Sequence, residues 1–254
     1  MRKIRNLQFW SNSLIWLFYI FFHEFTICNA QTDNQYMPKT KSLKPENKTK
    51  NYLGIQLIAG SGKQEMKSGV VAHLANGQGI AQDVLVTPGG GTGVELYYGR
   101  ALLKNIRLGL YSGYQVSPGS VKLVNAKVRF TKMTLVPMVQ YSFPLWESSR
   151  IQIGIGATAF MASQVYFQET TGYKTTYRIK FNPTIGPATQ FLFQQQMGLH
   201  GKFHIGVRLH WLRFRYSGFE LNGQKSYLNS IERKPFLNAN GTGTNFEIGY
   251  AYGF

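Results

Sequence analysis

Phe246-Glu-Ile-Gly-Tyr-Ala-Tyr-Gly-Phe254 closes the chain and is apolar at every second position. Phe246, Ile248, Tyr250, Tyr252 and Phe254 alternate with Glu247, Gly249, Ala251 and Gly253. Successive side chains of a β-strand point to opposite faces, so one face of this segment is aromatic and the other is small or charged. In water such a strand invites edge-to-edge association. Facing lipid, with the small and charged residues turned into a barrel lumen, both faces are satisfied.

Working back from that strand, the chain divides from Tyr52 onward into eight alternating runs, near 52–60, 93–103, 106–116, 131–143, 150–162, 181–194, 202–216 and 243–254. Short and long connections alternate between them. Lys104-Asn105, Pro144 to Ser149 and Gln195 to Gly201 are short, whereas 61–92, 117–130, 165–180 and 217–242 are long. Tight turns at one end and long loops at the other are the asymmetry of a membrane barrel, and an even strand count puts both ends of the barrel chain on the short-turn side. The fold class that follows is all-β: an eight-stranded, antiparallel, up-and-down transmembrane β-barrel.

The faces agree from strand to strand. Ile106, Leu108, Leu110, Tyr114 and Val116 oppose Arg107, Gly109, Tyr111, Gly113 and Gln115. Ile151, Ile153, Ile155, Ala157 and Ala159 oppose Gln152, Gly154, Gly156, Thr158 and Phe160. Phe203, Ile205, Val207, Leu209 and Trp211 oppose His204, Gly206, Arg208 and His210. The glycine-bearing, charged face is the narrow one, as the inside of a small barrel requires. At the short-turn ends, Tyr141, Phe143, Trp146, Phe191, Phe193 and Phe203 join Tyr250, Tyr252 and Phe254 in a periplasmic aromatic girdle. Tyr114, Tyr166, Trp211, Phe214 and Tyr216 would form the outer one. Pro137, Pro183 and Pro187 fall inside these runs, where each removes a ladder donor, so they call for bulges or strand ends, and the sixth strand is expected to start late or bend around Pro187.

The front of the chain fits export. Arg2, Lys3 and Arg5 precede the apolar run Leu14–Phe22, and Ile27-Cys-Asn-Ala30 ends on a small residue, which reads as a signal peptide over 1–30. The run is too short to span a bilayer. The competing reading is an uncleaved anchor. Cys28 is the single cysteine, so cleavage after Ala30 leaves a chain without thiols or disulfides. Residues 31–51 hold Lys39, Lys41, Lys44, Lys48 and Lys50, two prolines and little that is apolar. Such a segment cannot offset its ordering entropy and reads as a disordered periplasmic lead-in to a barrel over 52–254.

Composition points the same way. Aromatic residues make up 15% of the chain and charged residues only 15%, an unusual balance for a soluble enzyme. The mean hydropathy of −0.20 reflects strands whose two faces cancel. A formal net charge of +17 usually suggests nucleic acid. An exported barrel meets anionic lipid headgroups and lipopolysaccharide phosphates instead, so no nucleic-acid partner is expected.

Several chemical motifs fall away. Ala59-Gly-Ser-Gly-Lys63 imitates part of a phosphate-binding loop, but Leu57 and Gln64 stand where that pattern needs Gly and Ser or Thr. Gly89-Gly-Gly-Thr-Gly93 is the flexible end of a long loop. His204 and His210 lie about 20 Å apart along one strand face, too far to share a metal, and read as lumen histidines in a hydrogen-bond network. Neither a metal nor a cofactor is implied. The constellation that remains is Glu95, Arg107, Arg208 and Glu247, all inward-facing. With strands two and three adjacent, and seven and eight adjacent, each acid is expected to pair with a base one strand away, forming a structural salt-bridge network.

From its terminal strand, loop alternation and girdles, the region 52–254 resembles the small eight-stranded outer-membrane β-barrel proteins of Gram-negative bacteria, some of which serve type IX secretion. That resemblance implies a place in the cell outer membrane. It also implies that Phe246, Ile248, Tyr250, Tyr252 and Phe254 form the insertion signal read by the barrel-assembly machinery, and that a secretion-system or surface partner is met outside. No motif identifies a subfamily, and no residue is carried over as catalytic. The favoured function is structural or binding work through basic extracellular loops, with no open pore and no enzyme activity. The alternatives are a narrow channel or small-solute carrier, and an outer-membrane lipid-modifying enzyme for which only His73 and His210 offer a base. A soluble lipocalin-like barrel, with its apolar face inward, is the outside alternative.

Phe254→Ser is expected to lower outer-membrane assembly in cells far more than it lowers stability in detergent, since a residue at the water interface loses little packing but ends the recognised strand. Fractionation alongside urea titration tests this; equal insertion of mutant and wild type would refute it.

Overall fold

The computed structural model describes residues 51–62, 66–73, 76–119, 125–170, 172–228 and 233–254. The signal segment 1–30, and the lead-in up to residue 50, lie outside them. Fourteen strands follow in order: β1 (Asn51–Gly62), β2 (Met66–His73), β3 (Gly79–Val86), β4 (Gly91–Ala101), β5 (Ile106–Pro118), β6 (Ala126–Pro144), β7 (Ser149–Glu169), β8 (Thr176–Phe181), β9 (Thr184–Met197), β10 (Gly201–His210), β11 (Arg213–Leu221), β12 (Gln224–Ser226), β13 (Asn238–Asn240) and β14 (Gly243–Gly253).

Eight of these close a barrel. Around the ring the order is β7, β6, β5, β4, β1, β14, β10, β9 and back to β7, every pair antiparallel. Closure leaves none of the eight with a free edge, the only way strands can cross hydrocarbon. The seam between first and last strands runs their full length, from Tyr52 opposite Gly253 to Gly62 opposite Gly243. Asn51 and Phe254 also exchange backbone hydrogen bonds of 3.2 and 2.9 Å. Asn51, assigned above to the lead-in, is therefore the first residue of β1. The turns at 102–105, 145–148 and 198–200 gather at the same end as this seam's Asn51–Phe254 pair.

Alternation decides which face is which. Leu53, Ile55, Leu57, Leu96 and Ile155 are 53–63% exposed, and Tyr52, Gln56, Tyr97 and Tyr111 between or beside them are buried. An exposed apolar surface that wraps the whole wall is untenable in water and fits lipid. On β6 it runs from Phe143 to Met133, eleven residues, or about 25 Å of height at the usual strand tilt, matching the apolar band of a membrane barrel. The lipocalin-like alternative, which needs the apolar face inward, is overturned.

Three of the predicted runs are corrected. The run 181–194 is two strands, β8 and β9, parted at Asn182-Pro183 because Pro183 cannot donate to a ladder. As expected, the barrel strand starts late, at Thr184. The run 202–216 is β10 and β11, parted at Trp211-Leu212. The run 150–162 extends to Glu169, well into what was predicted to be a loop. Pro137 keeps its place opposite Leu110 while its β7 side lacks a partner, and Pro187 sits opposite Ala157.

A bulge explains the longer β6 and β7. Opposite the single residue Lys132, β7 carries both Ala162 and Ser163, with Ala162 at φ 48. Below the bulge β7 pairs with β9 up to Phe160; above it, from Gln164, β7 pairs with β8. β8 then pairs with β11, and β11 with β12 and β13. The upper sheet encloses Phe130, Phe160, Val165, Phe167, Ile179, Phe181, Leu212, Phe214 and Phe219 as an apolar core. Phe214, assigned above to the outer girdle, is fully buried there and stacks on Phe160, whereas Tyr114 and Trp211 do face outward.

A protein of this fold should be heat-modifiable, its detergent-folded form migrating differently on a gel before and after boiling. Identical migration together with a helical circular-dichroism spectrum would refute the barrel.

Candidate functional site

Inward-facing side chains from all eight barrel strands meet in the lumen, and many are polar. Glu95 comes from β4, Arg208 from β10 and Glu247 from β14. The Arg208 guanidinium lies between the two carboxylates and bonds both through Nε and its terminal nitrogens. All three residues are at most 2% exposed. Burying charge is costly unless every lone pair and proton is used, and here most are. Glu95 also accepts from Gln56 Nε2 at 2.7 Å and Thr134 Oγ1 at 2.8 Å, and Glu247 accepts from Gln190 Nε2 at 2.6 Å. The Tyr111 ring lies 4.8 Å from the guanidinium carbon.

A second tier supports the first. Gln140 Nε2 donates to Tyr111 Oη at 2.6 Å and to Gln190 Oε1 at 2.9 Å, and Tyr111 Oη donates to Gln190 Oε1 at 3.0 Å. Tyr97 Oη reaches Gln140 Oε1 at 3.3 Å, and its ring packs 4.8 Å from Tyr111. His204 Nε2 pairs with Gln56 Oε1 at 3.0 Å. Glycine makes the room: a Cβ on Gly113 would stand 2.4 Å from Glu95 Cγ, and one on Gly249 would stand 2.6 Å from both Gln56 Cβ and His204 Nε2.

Of the four charges singled out from sequence, three meet and one does not. Arg208 serves both acids, including Glu95 from across the lumen. Arg107, expected to pair with Glu95, instead lies 4.3 Å over the Tyr52 ring and contacts Gln152 Oε1 at 3.5 Å. Strand adjacency found the Arg208–Glu247 pair but misplaced the partner of Glu95, because in so narrow a tube opposite walls are within side-chain reach. Lys202 shares the Tyr52 ring from the other strand, 4.2 Å away, and donates to Tyr52 Oη at 3.0 Å.

Sequence reasoning missed Lys132 and, beyond the inward placing of Gln115 and Gln152, the glutamine network. Lys132 is fully buried opposite the β7 bulge, donating to Pro88 O at 2.6 Å and Gly90 O at 3.2 Å, with Phe160 4.4 Å away. It ties the segment before β4 across the mouth of the polar lumen. The glutamines Gln56, Gln115, Gln140, Gln152, Gln190 and Gln194 all fall at inward parity, a signal the alternation contains. His210 does not join the hydrogen-bond network expected of it; it packs edge-on to Phe160 at 5.2 Å. The side chain of His73 lies outside the described residues, as does Lys63. Ala59–Gly62 continue β1, with no helix behind them to bind phosphate.

The girdle and terminal-strand residues lie on the outer face. Tyr141, Phe143, Trp146, Phe191, Phe246, Ile248, Tyr250, Tyr252 and Phe254 are exposed, and Phe193 and Phe203 are half-buried. Among the described residues no cluster of three His, Cys, Asp or Glu side chains could hold a metal.

This chain is a closed, eight-stranded, antiparallel β-barrel with an apolar outer face. No protein-family model matches it, and no curated protein does. Among solved structures it is similar to Neisserial surface protein A, at 9% identity and a TM-score of 0.45 over 80% of this chain and 97% of that one. It is similar to the outer membrane protein OprG from Pseudomonas aeruginosa, at 14% and 0.46 over 81% and 96%. It is similar also to the outer membrane protein AlkL in lipid bilayers, at 13% and 0.40 over 87% and 96%. Likeness at this level transfers no residue role; the fold stands on the closed register of this chain.

Arg208→Met should destabilise the folded barrel by about 3–5 kcal/mol, because it strands two buried carboxylates. Glu247→Gln should cost less, since Arg208 keeps Glu95. Adding Glu95→Gln and Glu247→Gln to Arg208→Met should recover part of the loss. Strictly additive losses in urea titrations in detergent would show that the three do not interact.

Proposed function

We propose that this chain is an integral outer-membrane protein of a Gram-negative bacterium, exported by its N-terminal signal. In this reading the barrel is a closed anchor, and the strands projecting from its outer end do structural or binding work. The short turns and the Asn51–Phe254 pair face the periplasm, and β8 and β11–β13 face outside. The terminal strand, Phe246 to Phe254, is the segment the assembly machinery reads. No catalytic role is assigned to any residue.

The filled lumen is the observation that supports this reading most strongly. Arg208 is held from two walls by Glu95 and Glu247, and Tyr111, Gln140 and Gln190 close the space beside it. Above them, Phe130, Phe160 and Phe214 pack against one another at 5.1–5.6 Å between ring centroids. An eight-stranded barrel has room for side chains and little else. A narrow channel needs a continuous water path, which would have to break both layers.

Planar-bilayer recordings of the refolded protein are expected to show no stable conductance steps. Reproducible unitary steps from wild type would overturn the closed-anchor reading in favour of the channel, as would growth of a defined solute flux into proteoliposomes.

A further inference from the structure

Above the lipid-facing band, the outward face of the β6–β7–β8–β11 sheet changes from apolar to basic. Register puts Arg129, Tyr166, Arg178 and Glu220 in one row across the four strands. Their neighbours Phe130, Val165, Phe167, Ile179 and Phe219 point into the core, so this row points out. Tyr166 is clasped by two guanidiniums, with Arg129 4.9 Å and Arg178 5.5 Å from its ring centroid. Stacking on an aromatic ring holds a guanidinium flat and leaves its N–H fork free for an outside acceptor. Neither arginine forms an ion pair among the described residues, and both are exposed.

The nearby acid is already committed. Glu220 is bonded to Lys180, and that hydrogen bond holds its carboxyl below the usual range. Its single charge goes mainly to Lys180, with Arg178 and Lys225 adding to the attraction, so one carboxylate faces Lys180, Arg178 and Arg129, with exposed Lys127 beside them, and the strip keeps a net positive charge. Height selects the partner. Arg129 lies four residues beyond Met133, the last exposed apolar residue of the β6 band, which places it about 10 Å above the hydrocarbon edge. The headgroup layer reaches roughly 5–8 Å beyond the hydrocarbon, so the backbone at Arg129 stands just above it and the long side chain reaches back into it. On the same side, Trp211 is followed by exposed Arg213 and Arg215.

We infer that the Arg129–Tyr166–Arg178 row is a docking surface for the phosphate groups of a phosphorylated glycolipid in the surrounding outer leaflet. This rests on the outward orientation given under Proposed function. The two forks suit bidentate contacts to phosphate, contact with the Tyr166 ring helps order them, and the apolar wall below receives the acyl chains. The +17 charge of the chain thus acquires a local use: lipid attachment at one strip of the wall.

The test uses the full chain refolded in zwitterionic micelles, with its gel shift on boiling verified first. Bis-phosphorylated lipid A is titrated in and bound lipid read by native mass spectrometry. Wild type should bind it, and lipid A stripped of phosphate should bind far more weakly. Arg129→Gln with Arg178→Gln should weaken binding roughly 10- to 30-fold, from about a fivefold effect per basic charge beside an anionic surface. Lys104→Gln, in a turn at the opposite end, should change nothing. Should the double glutamine variant lose its gel shift, Arg129→Lys with Arg178→Lys replaces it, and an intermediate loss is expected because charge stays while the stacked fork goes. Equal binding by wild type and variant, or equal binding of phosphorylated and stripped lipid A, would overturn the inference. So would capture of a heparin oligosaccharide with no capture of lipid A, which would mark the row as a site for a soluble polyanion. Failure of wild type to fold in micelles would instead count against the membrane-barrel reading.

Discussion

Hydrocarbon offers a backbone amide no partner, so a sheet that crosses it must close on itself. Here the closing bonds are those between β1 and β14, down to the Asn51–Phe254 pair, and those between β7 and β9. Everything else follows from that ring. Eight strands enclose a narrow tube, and here side chains occupy it. The wall then has an outside that must be apolar and an inside that must satisfy its own polar groups. The alternation of Phe246–Phe254 is one strip of that requirement, repeated seven times around the ring.

Around Arg208 the interior meets the requirement with few charges and many amides, while Arg107 Nε, Gln115 Oε1, Gln152 Nε2 and Gln194 Oε1 are buried without a protein partner among the described residues. One guanidinium serves two carboxylates, and the spare lone pairs go to Gln56, Thr134 and Gln190. Glutamine is suited to this, since each carries donors and an acceptor on a stem long enough to reach the barrel axis. Arg107 and Lys202 take an aromatic ring between them in place of an acid. A lumen filled this way fits the closed-anchor reading proposed above.

The bulge at Ala162-Ser163 divides the molecule into two storeys. Below it β7 belongs to the barrel; above it β7 changes neighbours, and the inside turns from polar to aromatic. Lys132, opposite the bulge, stands on the boundary with carbonyls on one side and Phe160 on the other. The same change of neighbours carries an outward row of Arg129, Tyr166 and Arg178 above the apolar band, the placement on which the lipid-phosphate inference rests.

What the sequence alone determined is what a period of two can encode. Strand existence, the inward or outward sense of Glu95, Arg107, Arg208 and Glu247, the alternation of short and long connections, and the apolar outer face are all local patterns. The register, the Arg208 pairing across the lumen, the breaks at Asn182-Pro183 and Trp211-Leu212, and the burial of Phe214 are not. Each depends on which strand lies opposite and at what height, quantities set by closure of the ring and by one bulge. All four predicted long loops contain strand that alternation did not reveal: β2 pairs with β3 within 61–92, β6 begins within 117–130, and the strands within 165–180 and 217–242 pair because β7 exchanges β9 for β8. A sequence writes the two faces of every strand; only the closed sheet decides which faces meet.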